Sequence, residues 1–592
     1  MAETELTGPD IHHWVDRFSA ALDRNDIQAA SALFADNGAW RDVLAFTWTI
    51  KTCESPGDIH AMLNATLAKI EPRNWRVESG ESAAEGWLLF ETNVGKCKAY
   101  LRLEEGLALT LFTALQDLHE HPEPTGKLRE TGLYNDGDKR NWRDRQHAEQ
   151  ASLGEEVQPY VLIVGGGQGG LALGARLKVQ NVPTLIVDRH HRSGDQWRAR
   201  YKSLTLHDPV WYDHMPYLPF PESWPIYTPK DKLGDFLESY AKIMDLNIWN
   251  STEFSAASYN QDRACWNVTV QRDGETIELH PAHLVMAVGN AGFPRKPEFD
   301  GASTFTGEQY HSSEFTSGEA FSDKNVVVIG ANNSAHDICA DLVENGVKPT
   351  MIQRSSTLIL RGETNSKMAR PLYSEEAVEQ GLTTERADFL NASMPLRMSE
   401  QMQKQMWDHV AVADADFYET LAQVGFQLDF GEDGTGLFMK YLRTGSGYYI
   451  DVGASAMVAD GRIALKSGVA IERLTSDSVL LSDGTELPAD VIIYATGFGS
   501  MEEWVKRLIS PEVAERIGKC WGYGSGTRGD PGPWEGELRN MWKPTAQEGL
   551  WFHGGNLQQS RFYSRYLALQ LKAQYENLEI EVYNSSGRNI LR

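Results

Sequence analysis

Hydrophobic residues recur at two spacings in the first 119 positions, and the two spacings predict different elements. Apolar side chains between residues 11 and 34 follow the helical period, and residues 59–70 repeat it. Residues 87–92 and 99–112 have the pattern of paired strands instead. Residues 1–119 are therefore predicted to form a small α+β unit, called the N-terminal unit below.

Short, mostly apolar runs occur after this unit. Four of them, residues 160–164, 184–187, 325–329 and 349–353, have the length and composition of buried strands. A helical pattern follows the first and the third. This strand–turn–helix order is typical of nucleotide-binding α/β units, so we expect two such units.

Two stretches lack a nucleotide-binding pattern. Residues 120–157 are charged and polar, and they predict a linker. Either Trp142 docks on a neighbouring element and orders this linker, or the linker is disordered. Residues from about 360 to 440 predict a helical insert. The predicted order is the N-terminal unit (1–119), the linker (120–157), the first nucleotide unit (158–320), the second nucleotide unit with the insert (321–484), and a return to the first unit (485–592).

The first nucleotide unit opens on a glycine-rich turn. Gly165, Gly167 and Gly170 have the G-x-G-x-x-G spacing, with Gln168 between them, directly after a predicted strand. The first glycine makes the tight turn, the second lets the backbone approach a pyrophosphate, and the third lets the helix pack on the strand. The alternative is a glycine-rich turn that binds no ligand.

An acidic residue stands where such a unit needs one. Asp188 ends the second strand, 23 residues after Gly165, and Arg189 follows it. An acid about 20 residues beyond the first glycine hydrogen-bonds a ribose. Because the adenosine ribose of FAD carries no 2′-phosphate, this unit suits FAD.

The second unit repeats the turn with a substitution. Gly330 is kept and Asn332 replaces the middle glycine, a residue that tolerates positive φ but whose side chain crowds a pyrophosphate. Arg354 and Ser355 end the next strand, where an NAD site has an acid. An arginine there complements a 2′-phosphate, so NADPH is expected over NADH. The alternative is a surface arginine with no ligand.

Composition and charge exclude several classes of function. The chain has 82 acidic and 56 basic residues, a net charge of −26, which disfavours nucleic acid and anionic membranes as partners. The five cysteines include no C-x-x-C pair, and no metal site is predicted. With no secretory signal and no apolar run of roughly 18 residues, a cytoplasmic location is expected.

A motif between the two turns suggests a family. Phe305, Gly307, His311 and Phe315 match F-x-G-x-x-x-H-x-x-x-Y/F, the identifying sequence of flavin-containing monooxygenases, including the plant YUCCA type. The resemblance covers about residues 158–592. By element order and the segment 39–42, the N-terminal unit resembles the NTF2-like (SnoaL-like) cone.

The resemblance implies an α/β fold with two Rossmann-like domains, for FAD and NADPH, beside an N-terminal α+β cone. It implies that Gln196, Trp197 and His207 line the flavin, and that residues 490–498 return the chain to the FAD domain. His207, Asp208 and Gln559 are the candidate catalytic residues, with Arg561 close to the pocket. The expected cofactor-binding residues are Gly165, Gly167, Gln168, Gly170, Asp188, Arg189, Gln196, Trp197 and His207 for FAD, and Gly330, Asn332, Asn333, Ser334, Ala335, Arg354, Ser355, Thr496 and Gly497 for the remaining contacts.

The implied activity is a monooxygenase that consumes NADPH and O2 and acts through a C4a-(hydro)peroxyflavin on a small organic substrate. N- or S-oxygenation, Baeyer–Villiger insertion and oxidative decarboxylation all stay open. The alternatives are a disulfide-reductase-like flavoprotein, which needs a cysteine pair, and a non-catalytic nucleotide-binding scaffold. The N-terminal unit is expected to pack on its neighbours or to form a homodimer.

Overall fold

Three sheets, one in the N-terminal unit and two wholly parallel, organise the chain. The computed structural model describes residues 10–132, 137–289, 292–369, 371–431, 433–521 and 537–583. The helices are α1 (Ile11–Asp23), α2 (Ile27–Ser31), α3 (Pro56–Ile70), α4 (Trp142–Ser152), α5 (Gln168–Val179), α6 (Asp195–Arg198), α7 (Lys230–Ile243), α8 (Asn333–Glu344), α9 (Gly362–Thr364), α10 (Glu375–Glu379), α11 (Thr384–Ser393), α12 (Leu396–Ala413), α13 (Ala415–Gln423), α14 (Gly436–Thr444), α15 (Ala454–Ala459), α16 (Glu502–Leu508), α17 (Pro511–Ile517) and α18 (Leu557–Tyr575).

The strands fall into the three large sheets and four small ones. They are β1 (Phe34–Val43), β2 (Ile50–Cys53), β3 (Arg73–Gly80), β4 (Glu85–Glu91), β5 (Gly95–Glu104), β6 (Leu107–Leu118), β7 (Val161–Val164), β8 (Thr184–Val187), β9 (Thr205–Pro209), β10 (Tyr227–Pro229), β11 (Ile248–Trp249), β12 (Thr252–Asn260), β13 (Cys265–Arg272), β14 (Glu275–Leu279), β15 (His283–Met286), β16 (Glu308–His311), β17 (Val326–Ile329), β18 (Thr350–Gln353), β19 (Leu358–Arg361), β20 (Tyr448–Asp451), β21 (Ala464–Ser467), β22 (Ile471–Leu474), β23 (Ser478–Leu481), β24 (Glu486–Pro488), β25 (Val491–Tyr494) and β26 (Leu550–Phe552).

The N-terminal unit is a six-stranded sheet with α1–α3. Its strand order is β2-β1-β6-β5-β4-β3, in which only the β1–β6 pair is parallel. The single helical stretch expected over residues 11–34 is wrong, because Asn25 adopts φ 54° and Asp26 caps a second helix. The strand pair expected at residues 87–92 and 99–112 is present as β4–β5, and the second range also runs through the turn into β6.

The predicted linker contains a docked helix. Glu149 of α4 binds Lys178 of α5 at 2.6 Å and accepts from Asn247 Nδ2 at 2.9 Å. Trp142 is 51% exposed, but it hydrogen-bonds the carboxylate of Asp245, to which Gln146 Nε2 of α4 also donates at 2.7 Å, so it takes part in the docking expected of it. The disordered alternative is therefore wrong for residues 142–152.

The first parallel sheet has the order β11-β8-β7-β15-β26. Its central strands are the apolar runs predicted to be buried, and α5 and α18 pack against each other beside them. The last strand comes from the C-terminal part of the chain, as the predicted return to this unit requires. A three-stranded antiparallel sheet, β12-β13-β14, is inserted before β15.

The second parallel sheet has the order β16-β25-β17-β18-β21. We predicted β16 and β25 to lie in the first unit, and the structure corrects this. The four residues of β25 are all buried, and the strand pairs with β17 on one edge and β16 on the other. The predicted boundaries at residues 320 and 485 therefore do not coincide with the limits of this sheet.

Helices α9–α14 lie between β18 and β21, where the helical insert was expected. The insert contacts two other parts of the chain, because α11 packs against both β6 of the N-terminal unit and α18. Within the described parts of the chain, no helix combines the length and the apolar composition that a membrane crossing requires.

The close packing at Gly307 is predicted to stabilise the second parallel sheet. A Cβ there would overlap the carbonyl oxygen of Asp490 and lie 2.7 Å from the ring of Phe305. Gly307→Ala should therefore lower the free energy of unfolding by about 1–3 kcal/mol, seen as a lower thermal midpoint. Gly57→Ala, in the first turn of α3, meets only Ser55 Oγ at 3.7 Å and should leave the midpoint equal or slightly higher. Equal midpoints for both variants would contradict this packing argument.

Candidate functional site

The first glycine turn connects β7 to α5 through two backbone contacts that exclude a side chain. Gly165 has φ 108°, and a Cβ there would overlap the carbonyl oxygen of Ala287. A Cβ on Gly170 would overlap the carbonyl oxygen of Gly165. Both glycines therefore have the geometry that the motif predicted, a tight turn and a close approach of helix to strand.

Gly167 has an open side. Only the side chain of Gln196 would lie within 4 Å of an added Cβ, its Nε2 at 3.5 Å. Gly167 is also the N-cap of α5, and no side chain caps the first-turn amides, which begin with Gln168. Free amides at a helix N-terminus bind phosphate, so this turn fits a pyrophosphate.

Asp188 stands at the end of β8 and is tied to the turn. The Gly166 amide donates to its Oδ2 at 2.5 Å, and the amide and ring Nδ1 of His190 contact its Oδ1 at 2.8 Å. Burial raises the pKa of Asp188, but these hydrogen bonds outweigh it and the net pKa lies below the ordinary value. The carboxylate is thus an ionised acceptor, as a ribose-binding acid must be, while Arg189 is exposed.

Two donors next to the turn lack partners. Gln196 Nε2 and Trp197 Nε1, both on α6, are buried and make no hydrogen bond to any described residue. A buried donor without an acceptor is costly, so these atoms fit a ligand that presents acceptors. Both residues were predicted to line the flavin.

The predicted catalytic pair lies on β9. His207 is half-buried and Asp208 is buried. His207 lies close enough to Asp337 of α8 to act on it electrostatically, and burial raises the pKa of Asp337. The β9 strand therefore faces the helix that follows the second glycine turn.

Hydrogen bonds join the two turns across this interface. Tyr201 OH, on the segment between α6 and β9, donates to Asp337 Oδ2 at 2.5 Å, and Ser203 Oγ donates to Asp341 Oδ2 at 2.6 Å. Both acceptors lie on α8. The segment between α6 and β9 is thus held against α8, and no pattern in the sequence predicts these pairs.

At the second turn, Gly330 has φ 130°, and a Cβ there would overlap the carbonyl oxygen of Ala495. Asn332 has φ −100°, an extended conformation that any residue can adopt. The expectation that its tolerance of positive φ matters at this position is therefore wrong. Its Oδ1 accepts from Thr357 Oγ1 at 3.4 Å, which turns the carboxamide toward β19. Asn333 begins α8, whose first turn includes Ser334 and Ala335, and no side chain caps it.

Arg354 and Ser355 follow β18 at its carboxyl end and are exposed. No described acidic residue forms an ion pair with Arg354. A free guanidinium beside the second turn is suited to a phosphate.

The family motif has a structural role here. His311 Nε2 contacts the carbonyl oxygen of Gly497 at 2.9 Å, and Nδ1 contacts Ser313 Oγ at 2.8 Å. Burial lowers the pKa of His311, so its ring is neutral and Nε2 donates to the carbonyl. Thr496 Oγ1 donates to the carbonyl of Arg295. The motif therefore fixes the turn after β25.

The aromatic residues of the motif belong to the core of the second parallel sheet. Phe305 and Phe315 are buried in two separate apolar clusters, and Phe315 stacks on Phe321 with ring centroids 5.9 Å apart. These contacts give both rings a packing role, and the cluster of Phe315 includes Ala331 and Ala335 of the second turn.

Gln559 and Arg561 lie on α18 and already have partners. Gln559 Oε1 accepts from Tyr441 OH at 3.0 Å and from the Asn556 amide at 3.3 Å. Arg561 forms two 2.8 Å hydrogen bonds to the carboxylate of Asp388. Arg561 is therefore a buried structural cation, and the catalytic role of His207, Asp208 and Gln559 stays a prediction.

The start of α18, where Gln559 and Arg561 are expected near the pocket, lies beside the first glycine turn. His553 lies against Gly169, with its Cδ2 3.3 Å from where a Cβ would be, and the carbonyl of Gly555 accepts from Gln168 Nε2 at 3.3 Å. Asn556 and Gln559 form a capping box. The Asn-x-x-Gln spacing before a helical run is the sequence signal for the start of this helix.

The chain matches one protein-family model and is similar to known monooxygenases. Residues 162–431 match the family model described as pyridine nucleotide-disulphide oxidoreductase. Indole-3-pyruvate monooxygenase YUCCA1 of Oryza sativa subsp. japonica is 30% identical over 350 residues, covering 59% of this chain and 79% of that protein. Probable indole-3-pyruvate monooxygenase YUCCA8 of Arabidopsis thaliana is 30% identical over 344 residues, covering 57% and 74%.

Among solved structures, that of OTEMO in complex with FAD and NADP superposes with a TM-score of 0.50 and 16% identity. The match covers 71% of this chain and 86% of that chain. At this identity the likeness shows the fold, an α/β architecture with parallel sheets.

The open side of Gly167 generates a prediction about FAD. Gly167→Trp should weaken FAD binding by about tenfold or more, because the indole would occupy the space that a pyrophosphate needs. Flavin fluorescence titration measures the affinity. Since an added Cβ meets no backbone at this position, the unfolding midpoint of the FAD-free protein should stay near the wild-type value. Undiminished flavin binding would place the pyrophosphate elsewhere.

Proposed function

Because this chain belongs to the flavin-containing monooxygenase family, we propose that it is an FAD-dependent monooxygenase that oxidises NADPH and transfers one oxygen atom of O2 to a small organic substrate. Substrate, NADPH, a proton and O2 are consumed, and oxygenated substrate, NADP+ and water are formed. The observation that carries the proposal is the pair of glycine turns, each followed at the end of the next strand by the charge its cofactor needs, Asp188 and Arg354.

The first turn is the proposed FAD site. The amides that begin α5 would hold the pyrophosphate, and Asp188 would accept from the ribose hydroxyls. The unpartnered donors of Gln196 and Trp197 would meet flavin acceptors. Bound FAD supplies the activation of dioxygen, which no side chain of this chain supplies.

The second turn is the proposed NADPH site. The amides at the start of α8 would hold the pyrophosphate, and Arg354 with Ser355 would bind the 2′-phosphate. His311 keeps the Thr496–Gly497 turn in place at the edge of this site. His207 and Asp208, on the strand that faces α8, would orient the reacting groups and exclude water between the two cofactors.

The disulfide-reductase alternative is disfavoured by the cysteines. All five are buried. Burial raises the pKa of Cys53 to about 12, and it also raises the pKa values of Cys97 and Cys339. Dithiol chemistry needs an accessible thiolate, so these thiols are suited to packing.

The N-terminal unit, with helices packed on a six-stranded sheet, supports our proposal that residues 1–119 form an NTF2-like cone. Its homodimerisation stays a prediction. Sedimentation of the full chain tests it, since a dimer doubles the 66.2 kDa mass.

The direct test is turnover under air. The purified chain should bind FAD and oxidise NADPH faster in the presence of its substrate, and an atom from isotopically labelled O2 should appear in the product. Amines, sulfides, ketones and indole-pyruvate form the first panel. A protein that cannot be loaded with FAD would support the scaffold alternative, and dithiol-dependent turnover without oxygen would support a reductase.

Arg354 generates a second prediction. Arg354→Ala should weaken NADPH binding by about tenfold, because a charge-assisted contact to phosphate is lost. NADH binding should change by less than about twofold, since NADH has no 2′-phosphate. Arg462→Ala is the matched control, because Arg462 precedes the amino end of β21 on the same sheet and pairs with Asp460. Equal losses for the two cofactors would refute the phosphate role.

A further inference from the structure

The N-terminal unit holds one helix of the insert by an aromatic contact. Phe389 of α11 is 4% exposed. Its ring centroid lies 5.2 Å from that of Trp87 and 4.6 Å from that of Phe112, on β4 and β6. A phenyl ring from the insert therefore completes the apolar core of the N-terminal unit.

Polar contacts extend this attachment along the same face of α11. Arg386 donates to Ser79 Oγ at 3.2 Å and places its guanidinium 4.7 Å from the ring centre of Trp87. Arg102 donates to Ser393 Oγ at 2.9 Å. Residues 386, 389 and 393 follow the i, i+3, i+7 spacing of a single helix face. This face of α11 therefore packs on the N-terminal unit.

The adjacent residue, Asp388, faces the other way. Asp388 is 2% exposed, and its carboxylate binds Arg561 of α18 through two 2.8 Å hydrogen bonds. It also accepts from Tyr373 OH at 2.9 Å and from Gln558 Nε2 at 3.2 Å. The position of α11 therefore determines where a buried carboxylate meets α18.

From Arg561 the contacts reach the proposed FAD site. Its Nη1 donates to the carbonyls of Tyr212 and His214, at 2.9 and 2.5 Å, just beyond β9. Asn556 Nδ2, at the start of α18, donates to Tyr212 OH at 3.0 Å. One buried network thus holds both the segment after β9 and the N-terminus of α18, next to the first glycine turn.

We propose that the N-terminal unit positions the oxygenating site, with Phe389 as the positioning residue that sets α11 and, through Asp388 and Arg561, the segment after β9. This inference rests on the proposed function. When the site is loosened, water and protons enter, and the electrons of NADPH go to hydrogen peroxide. In that side reaction NADPH, a proton and O2 yield NADP+ and H2O2, with two electrons transferred and no product formed.

The test compares two variants that remove the same phenyl ring from the N-terminal core. Phe389→Ala removes the ring that α11 contributes. Phe18→Ala is the control, because Phe18 is fully buried and its aromatic contacts are all within the N-terminal unit, to Trp14, Phe34, Trp40 and Trp75. Phe389→Leu and Arg386→Ala are milder variants that keep the test informative if Phe389→Ala fails to fold.

The first readout is the share of NADPH electrons that appears in H2O2. Phe389→Ala should raise this share by about twofold or more, which is the lower end of the effects produced by mutations that lie between two energetically coupled sites. The FAD content of Phe389→Ala and its anaerobic rate of flavin reduction by NADPH should match the wild type. Phe389→Leu should bring the share of electrons lost to H2O2 most of the way back to the wild-type value. Phe18→Ala should keep the wild-type share. An unchanged share in Phe389→Ala, or an equal rise in Phe18→Ala, would overturn the proposal.

The second readout does not depend on turnover. Deuterium uptake of residues 205–214 should increase in Phe389→Ala and stay unchanged in Phe18→Ala. If the wild-type chain forms no oxygenated product, the proposed function fails, and the exchange data still decide the positioning claim. If the wild-type chain turns over and neither readout distinguishes the two variants, the positioning claim alone fails.

Discussion

Backbone packed against backbone is the constraint on which both proposed cofactor sites depend. Two backbone segments meet at Gly170 and Gly165, and two others meet at Gly330 and Ala495, with no room for a side chain at Gly170 or at Gly330. This closeness brings the first amides of α5 and α8 to the carboxyl ends of parallel strands, where they can bind phosphate. The residues proposed to distinguish the two nucleotides, Asp188 and Arg354, stand at the ends of the strands that follow these turns.

A second constraint is electrostatic. Asp388 and Arg561 are both almost fully buried, and separating such a pair costs about 3–5 kcal/mol because one charge is left without compensation. The pair is surrounded by further polar partners, Tyr373, Gln558 and two carbonyls, so its hydrogen-bonding capacity is largely used. These contacts tie α11 to α18 and to the segment after β9.

Features with a local signal could be predicted from the sequence. The first turn, its two strands and Asp188 follow from glycine spacing and short apolar runs, and α3 follows from helical periodicity. Sheet membership could not be predicted in this way. The four apolar residues of β25 suit either parallel sheet, and only pairing with β16 and β17 decides between them. Similarly, Asp388 and Arg561 are 173 residues apart, so nothing in the sequence around either one indicates the other.

The docked helix α4 has a consequence for how the N-terminal unit behaves in time. The polar segment between that unit and β7 is held on α5 through Glu149, so the tether is anchored between its two ends. A unit that separates from α11 therefore stays within a small volume around it. Recapture of α11 by the N-terminal unit is then intramolecular, at a high effective concentration.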